Sequence, residues 1–376
     1  MDVLVICDRG FEKESSQEAL SLIGKKKIVE YLSCFVIQDV DELDATHLAY
    51  SMQTAVKVGI HMGSCPYETD ILTTYGTYLT SEVKTLIEKK RFKIVIKDHI
   101  KDGVIGDGHE MASKLGSLVK LAVPSTIVDV KKPEVQMCVY AIGDHWHTMI
   151  DAATENLSKR EYRIFVNATA LRATVAASLY WFAGAKPKHV ILDPFSGSGT
   201  IAIEASLAAA HKSPHFYRKS QFNTIYDESV IQKKLAALDK DEVDAESSPR
   251  ILAYDILGKN VDSAKKNAKI AGVLKFAHYA RVEVDWIDLK VGDEVDRIIT
   301  APPQYSSSMD PAGIDKLYRQ LFHRAKEVLK KSGSITILTN QPMSVKSLAS
   351  PLFECEEVRE VYMGLTCLFA LRFVYK

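Results

Sequence analysis

Two periods alternate along the chain. Short apolar runs read as buried strands, and longer stretches with apolar residues three and four apart read as helices. Residues 1–65 predict strand 3–6, helix 14–23 ended by Gly24, one or two strands within 27–37, helix 41–52 and strand 55–60. Residues 66–155 predict helix 77–88, an alternating strand 92–97, helix 109–121, strands 126–130 and 135–142, and a closing strand 147–151. Further on come helix 171–180, strand 190–192, a helix from Thr200, helix 230–238 and strand 250–255. Helix 260–271 before Gly272, strand 280–284, strand 296–300, helix 314–329, a break at Gly333, strand 334–339, helix 343–352 and a hairpin through Gly364 complete the pattern.

The first part is βαββαβ in outline, a ferredoxin-like order that says little about function. The second half alternates strand and helix and ends on a hairpin, as in an α/β fold with a Rossmann-like, mixed seven-stranded sheet.

A chain of 376 residues, 47% hydrophobic, has material for two or three domains with ample cores. Lys+Arg and Asp+Glu both number 48, so a nucleic-acid partner is expected to be held by local patches and not by net charge. There is no run of about 18 apolar residues and no signal-peptide pattern at the N-terminus, so a cytoplasmic protein without a membrane partner is expected. The six cysteines are scattered without a C-x-x-C pair, which argues against a zinc ribbon or a disulfide framework. His145 and His147, one residue apart, make a weak metal pair, and no metal is expected. His145-Trp146-His147 reads either as a base-stacking element or as a turn with a partly buried Trp.

The stretch from His189 to Ala205 organises the second half: apolar strand, glycine turn at Gly197 and Gly199, then a helix at once. Amides at a helix N-terminus favour a polar or anionic ligand group at the turn. A P-loop requires Lys before Ser or Thr, and here Thr200-Ile201 follows Gly199. A dinucleotide site wants an acidic residue roughly 20 residues on, and Asp255 comes far too late. Asp193-Pro194-Phe195, the glycine pair, Thr200 and Glu204-Ala205 together resemble motif I of the class I methyltransferases that act on exocyclic amines of nucleobases.

Other phrases extend the resemblance. Residues 124–135, with Val128-Asp129 and Pro133, resemble the end of a THUMP domain; Leu157-Ser158-Lys159-Arg160-Glu161-Tyr162-Arg163 resembles the connector that follows it. Residues 260–273 resemble the family helix with paired Asn and terminal Gly. The chain thus resembles the archaeal branch of THUMP-containing RNA guanine-N2 methyltransferases. The resemblance implies a ferredoxin-like domain over 1–65, THUMP over 66–155, linker and pre-motif helix over 156–187, and a catalytic domain over 188–376. It implies S-adenosylmethionine as cofactor, held by Asp193, Phe195, Gly197, Gly199, Thr200, Asp255 at the ribose, Ile256 and Trp286 at adenine, and Asp285 near its amino group. Arg172 is read either as a cofactor contact or as a salt-bridge residue, and Trp286 either as stacking or as buried packing. Implied partners are tRNA, gripped at its acceptor stem and CCA end by the THUMP domain, and no second subunit. Lys89, Lys90, Arg91, Lys93, Lys131 and Lys132 read either as phosphate contacts or as solvated polar faces.

The family's [D/N]-P-P-[Y/F] motif falls on Ala301-Pro302-Pro303-Gln304-Tyr305. There the Asp or Asn and the first Pro carbonyl accept hydrogen bonds from the target amine, and the aromatic stacks on the base. Ala301 has no such oxygen. Either Gln304 supplies it and Tyr305 stacks, or another atom is methylated, or the chain is a weak or inactive RNA-binding relative. Activity on rRNA or on DNA adenine is the remaining alternative.

Overall fold

The computed structural model describes residues 1–98, 108–167, 170–222, 225–243, 251–291, 295–306 and 310–376. The chain divides into two compact units, each discontinuous in sequence. The first comprises Met1–Cys7, Ser15–Leu157 and His215–Lys240; the second comprises Asp8–Glu14, Ser158–Pro214 and Asp241–Lys376.

The first unit begins with β1 (Val3–Cys7), α1 (Glu12–Ile23), β2 (Ile28–Tyr31), β3 (Cys34–Ile37), α2 (Asp44–Ser51) and β4 (Ala55–Pro66). These strands pair antiparallel in the order β2-β3-β1-β4, the ferredoxin-like arrangement expected. Every residue of β1 is buried, which explains a continuous apolar run where a half-exposed strand would alternate. Next come α3 (Ile71–Thr74), α4 (Ser81–Ile87), β5 (Arg91–Asp98), α5 (Gly108–Ala122), β6 (Ile127–Val128), β7 (Val135–Ile142) and β8 (His145–Asp151). The helix expected over 77–88 is broken, because Thr80 caps the second half by accepting from the Val83 amide. Strand 126–130 shortens to β6, because Asp129 Oδ1 accepts from the amides of Lys131 and Lys132 and turns the chain. The expected boundary at residue 65 does not separate two sheets. β4 runs on to Pro66 and pairs with β8, so one eight-stranded sheet runs β2-β3-β1-β4-β8-β7-β5-β6.

The second unit holds α6 (Ala173–Phe182), β9 (Ile191–Asp193) and α7 (Thr200–Ala209). The chain then contributes α8 (Glu228–Leu238) to the first unit, where Ile231 and Leu235 join its core. The insertion expected as one polar segment over 211–249 is therefore divided between the units as far as it is described. The second unit resumes with β10 (Ile251–Asp255), α9 (Gly258–Ala271), β11 (Ala277–Arg281), α10 (Asp288–Val291), β12 (Val295–Thr300), α11 (Pro311–Val328), β13 (Leu329–Thr339), α12 (Pro342–Ala349), β14 (Phe353–Met363) and β15 (Thr366–Tyr375). Its seven-stranded sheet runs β11-β10-β9-β12-β13-β15-β14, with parallel pairs as far as β13 and antiparallel pairs at β15 and β14. This places β9 centrally, beside the change of strand order where open α/β sheets bind ligands. Two boundaries move. β11 lies three residues earlier than expected, because Val282 and Val284 are buried beyond the strand's end. Gly333 lies inside β13, folded so tightly that a Cβ there would sit 2.7 Å from the Leu329 side chain.

Candidate active site

β9 ends on Asp193, and the chain turns through Gly197 (φ +52°) and Gly199 (φ +86°). The left-handed backbone favours glycine at both positions. Space also requires it at Gly199, where a Cβ would come within 2.8 Å of the Ala264 Cβ on α9. Gly199 is the N-cap of α7, so the first amides of that helix face the turn.

Two carboxylates hold the turn. Asp255, ending β10, accepts from the Gly197 amide at 2.9 Å through Oδ2, and from the Leu257 amide at 2.8 Å and Asn260 Nδ2 at 3.1 Å through Oδ1. A carboxylate offers about four acceptor sites. Asp255 is thus a brace for the glycine turn with room for about one further bond, beside the contact expected of it at the ribose. Asp193 is buried; its Oδ1 accepts from the Thr300 hydroxyl at 2.7 Å and the Phe195 amide at 3.2 Å. Burial pushes its carboxyl up to about 7, despite the two hydrogen bonds.

A pocket opens over the turn. Its walls are Asn167, Ala170 and Leu171 before α6, Asp193 to Ser198 of the turn except Pro194, Thr200 and Ile201 on α7, and Ala301 after β12. Two buried polar atoms in it, Asn167 Oδ1 and Ser196 Oγ, have no hydrogen-bond partner among the described residues. Buried polar atoms are normally satisfied, so they mark places for ligand groups. Asn167 is the residue that sequence reasoning missed. Its neighbour Phe165 is fixed by Asn267 on α9, which bonds both the Phe165 amide and carbonyl at 3.0 Å.

The loop after β12 departs from the role expected of Gln304. Gln304 Nε2 donates to the Pro302 carbonyl at 2.8 Å and to the Leu338 carbonyl at 3.0 Å, while its Oε1 accepts from the Asn340 amide at 2.8 Å. Gln304 therefore ties the loop to the end of β13 and does not supply the missing oxygen. Tyr305 donates to Asp315 at 2.7 Å, and its ring lies parallel to Tyr318, 10° between planes. One face of the ring is thus set on α11, and the residue is half-buried. Pro302 is buried and Pro303 exposed.

The remaining candidates divide. Ile256 and Trp286 are about half exposed beyond the ends of β10 and β11, so Trp286 is no buried packing residue. Asp285 accepts from Gln320 Nε2 and lies 3.8 Å from Arg324 on α11. Arg172 does not line the pocket; its guanidinium pairs with Asp8 at 2.6 Å, the salt-bridge alternative. Of the basic residues, Lys89, Arg91, Lys131 and Lys132 are exposed, Arg91 pairing with Glu134 at 3.1 Å, whereas Lys90 donates to the Ile225 carbonyl. Lys93 is half-buried on β5. Trp146 is buried in a strand against Tyr67, not in a turn and not offered for stacking. Among the described residues, no helix is long and apolar enough to cross a membrane, and no group of three or more His, Cys, Asp or Glu is placed to hold a metal.

Comparison with known proteins agrees with this geometry. Residues 160–370, more than half of the chain, match the RMKL-like methyltransferase domain. The chain is 30% identical over 239 residues to the tRNA (guanine(6)-N2)-methyltransferase of Methanocaldococcus jannaschii, covering 63% of this chain and 62% of that one. It is 29% identical over 230 residues to the ribosomal RNA large subunit methyltransferase K/L of Acinetobacter baumannii, covering 58% and 30%. The chain thus spans less than two thirds of either relative. In fold it is similar to TrmN from Thermus thermophilus, with TM-score 0.71, 19% identity and coverage of 100% and 99%.

Proposed function

The chain belongs to the RMKL-like methyltransferase-domain family, and from that premise we propose that it methylates the exocyclic N2 of a guanosine in tRNA, using S-adenosylmethionine. The observation that carries the reading is the braced glycine turn, whose pocket holds two unsatisfied buried polar atoms. The residues fit the cofactor. Its polar groups find the α7 amides, Ser196 Oγ and the spare capacity of Asp255, and Phe195 and Leu171 supply apolar walls. Ile256, Asp285 and Trp286 stand beyond the strand ends as the adenine contacts. When bound, the cofactor supplies an electrophilic methyl on a sulfonium. The chain's own residues orient the base and shield the reacting groups from water, and no residue forms a covalent intermediate.

Guanosine in tRNA is the preferred substrate because the relative matched over 239 residues carries that name. rRNA is the second reading, on the ribosomal RNA relative. Residues 66–155 are read as the THUMP module that grips the acceptor stem and CCA end. Lys89, Lys131 and Lys132 are among its exposed cations, and a monomeric cytoplasmic enzyme is the matching form.

The test is methyl transfer from labelled S-adenosylmethionine to unmodified and native tRNA pools, with nucleoside analysis. N2-methylguanosine formed in the unmodified pool alone is expected. No transfer, together with retained binding of S-adenosylhomocysteine, supports a non-catalytic RNA-binding role instead.

A further inference from the structure

Ala301 deprives the loop after β12 of the side-chain oxygen that would receive the target amine, and Gln304 and Tyr305 are engaged elsewhere. Pro302's carbonyl already accepts a bond from Gln304. Resting on the function proposed above, we propose that Asn167 takes over the role: its Oδ1 accepts a hydrogen bond from the target amine across the space that Ala301 leaves.

Three observations meet here. Asn167 and Ala301 line the same pocket, together with Asp193 and Gly197. Asn167 Oδ1 is a buried acceptor without a partner among the described residues, a state that is costly unless a ligand group fills it. Its amide end is set against the glycine turn, since a Cβ on Gly197 would lie 3.2 Å from Asn167 Nδ2. Asn340 Oδ1 is also without a partner among the described residues, but Asn340 is outside the pocket wall.

An acceptor on one N2 hydrogen fixes the amine and keeps its lone pair facing the methyl donor. In the transfer that lone pair forms the N–C bond. The S–C bond breaks with its electrons passing to sulfur, and the nitrogen then loses a proton to water. Asn167 holds a hydrogen bond throughout and takes no proton.

The experiment compares wild type, Asn167→Ala, Asn167→Asp, Ala301→Asn and the double variant Asn167→Ala/Ala301→Asn. Each is assayed for transfer to unmodified tRNA, and its affinity for S-adenosylhomocysteine is measured by calorimetry. Asn167→Ala is expected to lower kcat about a hundredfold with the affinity unchanged. Asn167→Asp, which keeps an oxygen, retains more activity than Asn167→Ala, and the double variant recovers at least tenfold over it. A loss of affinity with kcat intact at saturation would assign Asn167 to the cofactor and overturn the proposal. So would full activity of Asn167→Ala, or no gain in the double variant. An active wild type with an equally active Asn167→Ala overturns this proposal alone, whereas a silent wild type overturns the proposed function as well, even where Ala301→Asn is active.

Discussion

Asp193 shows what a single buried group does to the pH response. Its folded carboxyl titrates at about 7, well above the ordinary range, so the folded chain keeps a proton that the unfolded chain has released. Stability from this group is full below about pH 4 and is lost as pH rises through 7, on the order of a few kcal/mol at most. Asp193→Asn is expected to flatten that slope in urea midpoints measured between pH 5 and 8. A cationic ligand in the pocket favours the ionised carboxylate. S-adenosylmethionine should therefore bind more tightly at pH 8 than at pH 6, with proton release visible by calorimetry in two buffers. S-adenosylhomocysteine, which lacks the sulfonium charge, should show less of both. At Gly199 the left-handed backbone and the contact with Ala264 act together, so Gly199→Ala is expected to cost about 1–3 kcal/mol, read from the same urea midpoints. The glycine turn and its carboxylates were legible because strand, glycine pair and helix follow each other in one stretch. Asn167 was not, because a lone asparagine among the mostly apolar residues of the connector forms no pattern, and an unsatisfied oxygen is a property of the folded pocket alone. The occupation of Gln304 was equally hidden. Its three partners are two backbone carbonyls and an amide, and two of the three lie more than thirty residues away.

Elements were legible where a local signal ended them. Gly272, left-handed at φ +76°, closes α9 where expected, and Asp310 caps α11 by accepting from the Ala312 and Gly313 amides just ahead of Pro311. Boundaries moved where tertiary burial decided, as at β11, whose following valines are covered beyond the strand's end. One helix carries a burden that its own sequence does not explain. Glu204 lies on α7, fully buried, and receives Arg160 Nε at 3.0 Å and the Tyr162 hydroxyl at 2.7 Å. The connector phrase thus anchors the helix that opens at the glycine turn. Removing one partner leaves a buried unpaired charge. Glu204→Ala is expected to cost about 3–5 kcal/mol in chemical denaturation, while the paired replacement Arg160→Met/Glu204→Leu falls much closer to wild type. Equal losses in the single and paired variants would show that apolar packing, and not the ion pair, sets the cost.

At the scale of the whole chain the units are not cut where the sequence pattern suggests. The seven-stranded sheet was foreseeable from the order of strands and helices. The placement of Asp8–Glu14 in the second unit was not, since its partners lie more than 150 residues away. Phe11 is fully buried there, edge-on to Phe182; Asp8 receives both Arg172 and the Thr174 hydroxyl, and Glu14 pairs with Arg359. A Cβ on Gly10 would lie 2.2 Å from the Glu360 carbonyl, so the backbone itself is packed against β14. The N-terminal segment is therefore part of the cofactor-binding unit's core, and Phe11→Ala should behave as a core truncation, costing about 3–5 kcal/mol. Ligand binding identifies which unit has lost it, because S-adenosylhomocysteine raises only the melting transition of the unit that binds it. In calorimetric scans of the full chain, the ligand-sensitive transition of Phe11→Ala is expected about 6–20 °C below that of wild type, with the other transition unmoved. A shift confined to the ligand-insensitive transition would instead assign Phe11's stabilising contribution to the eight-stranded unit, and would remove the basis for treating residues 8–14 as part of the methyltransferase core.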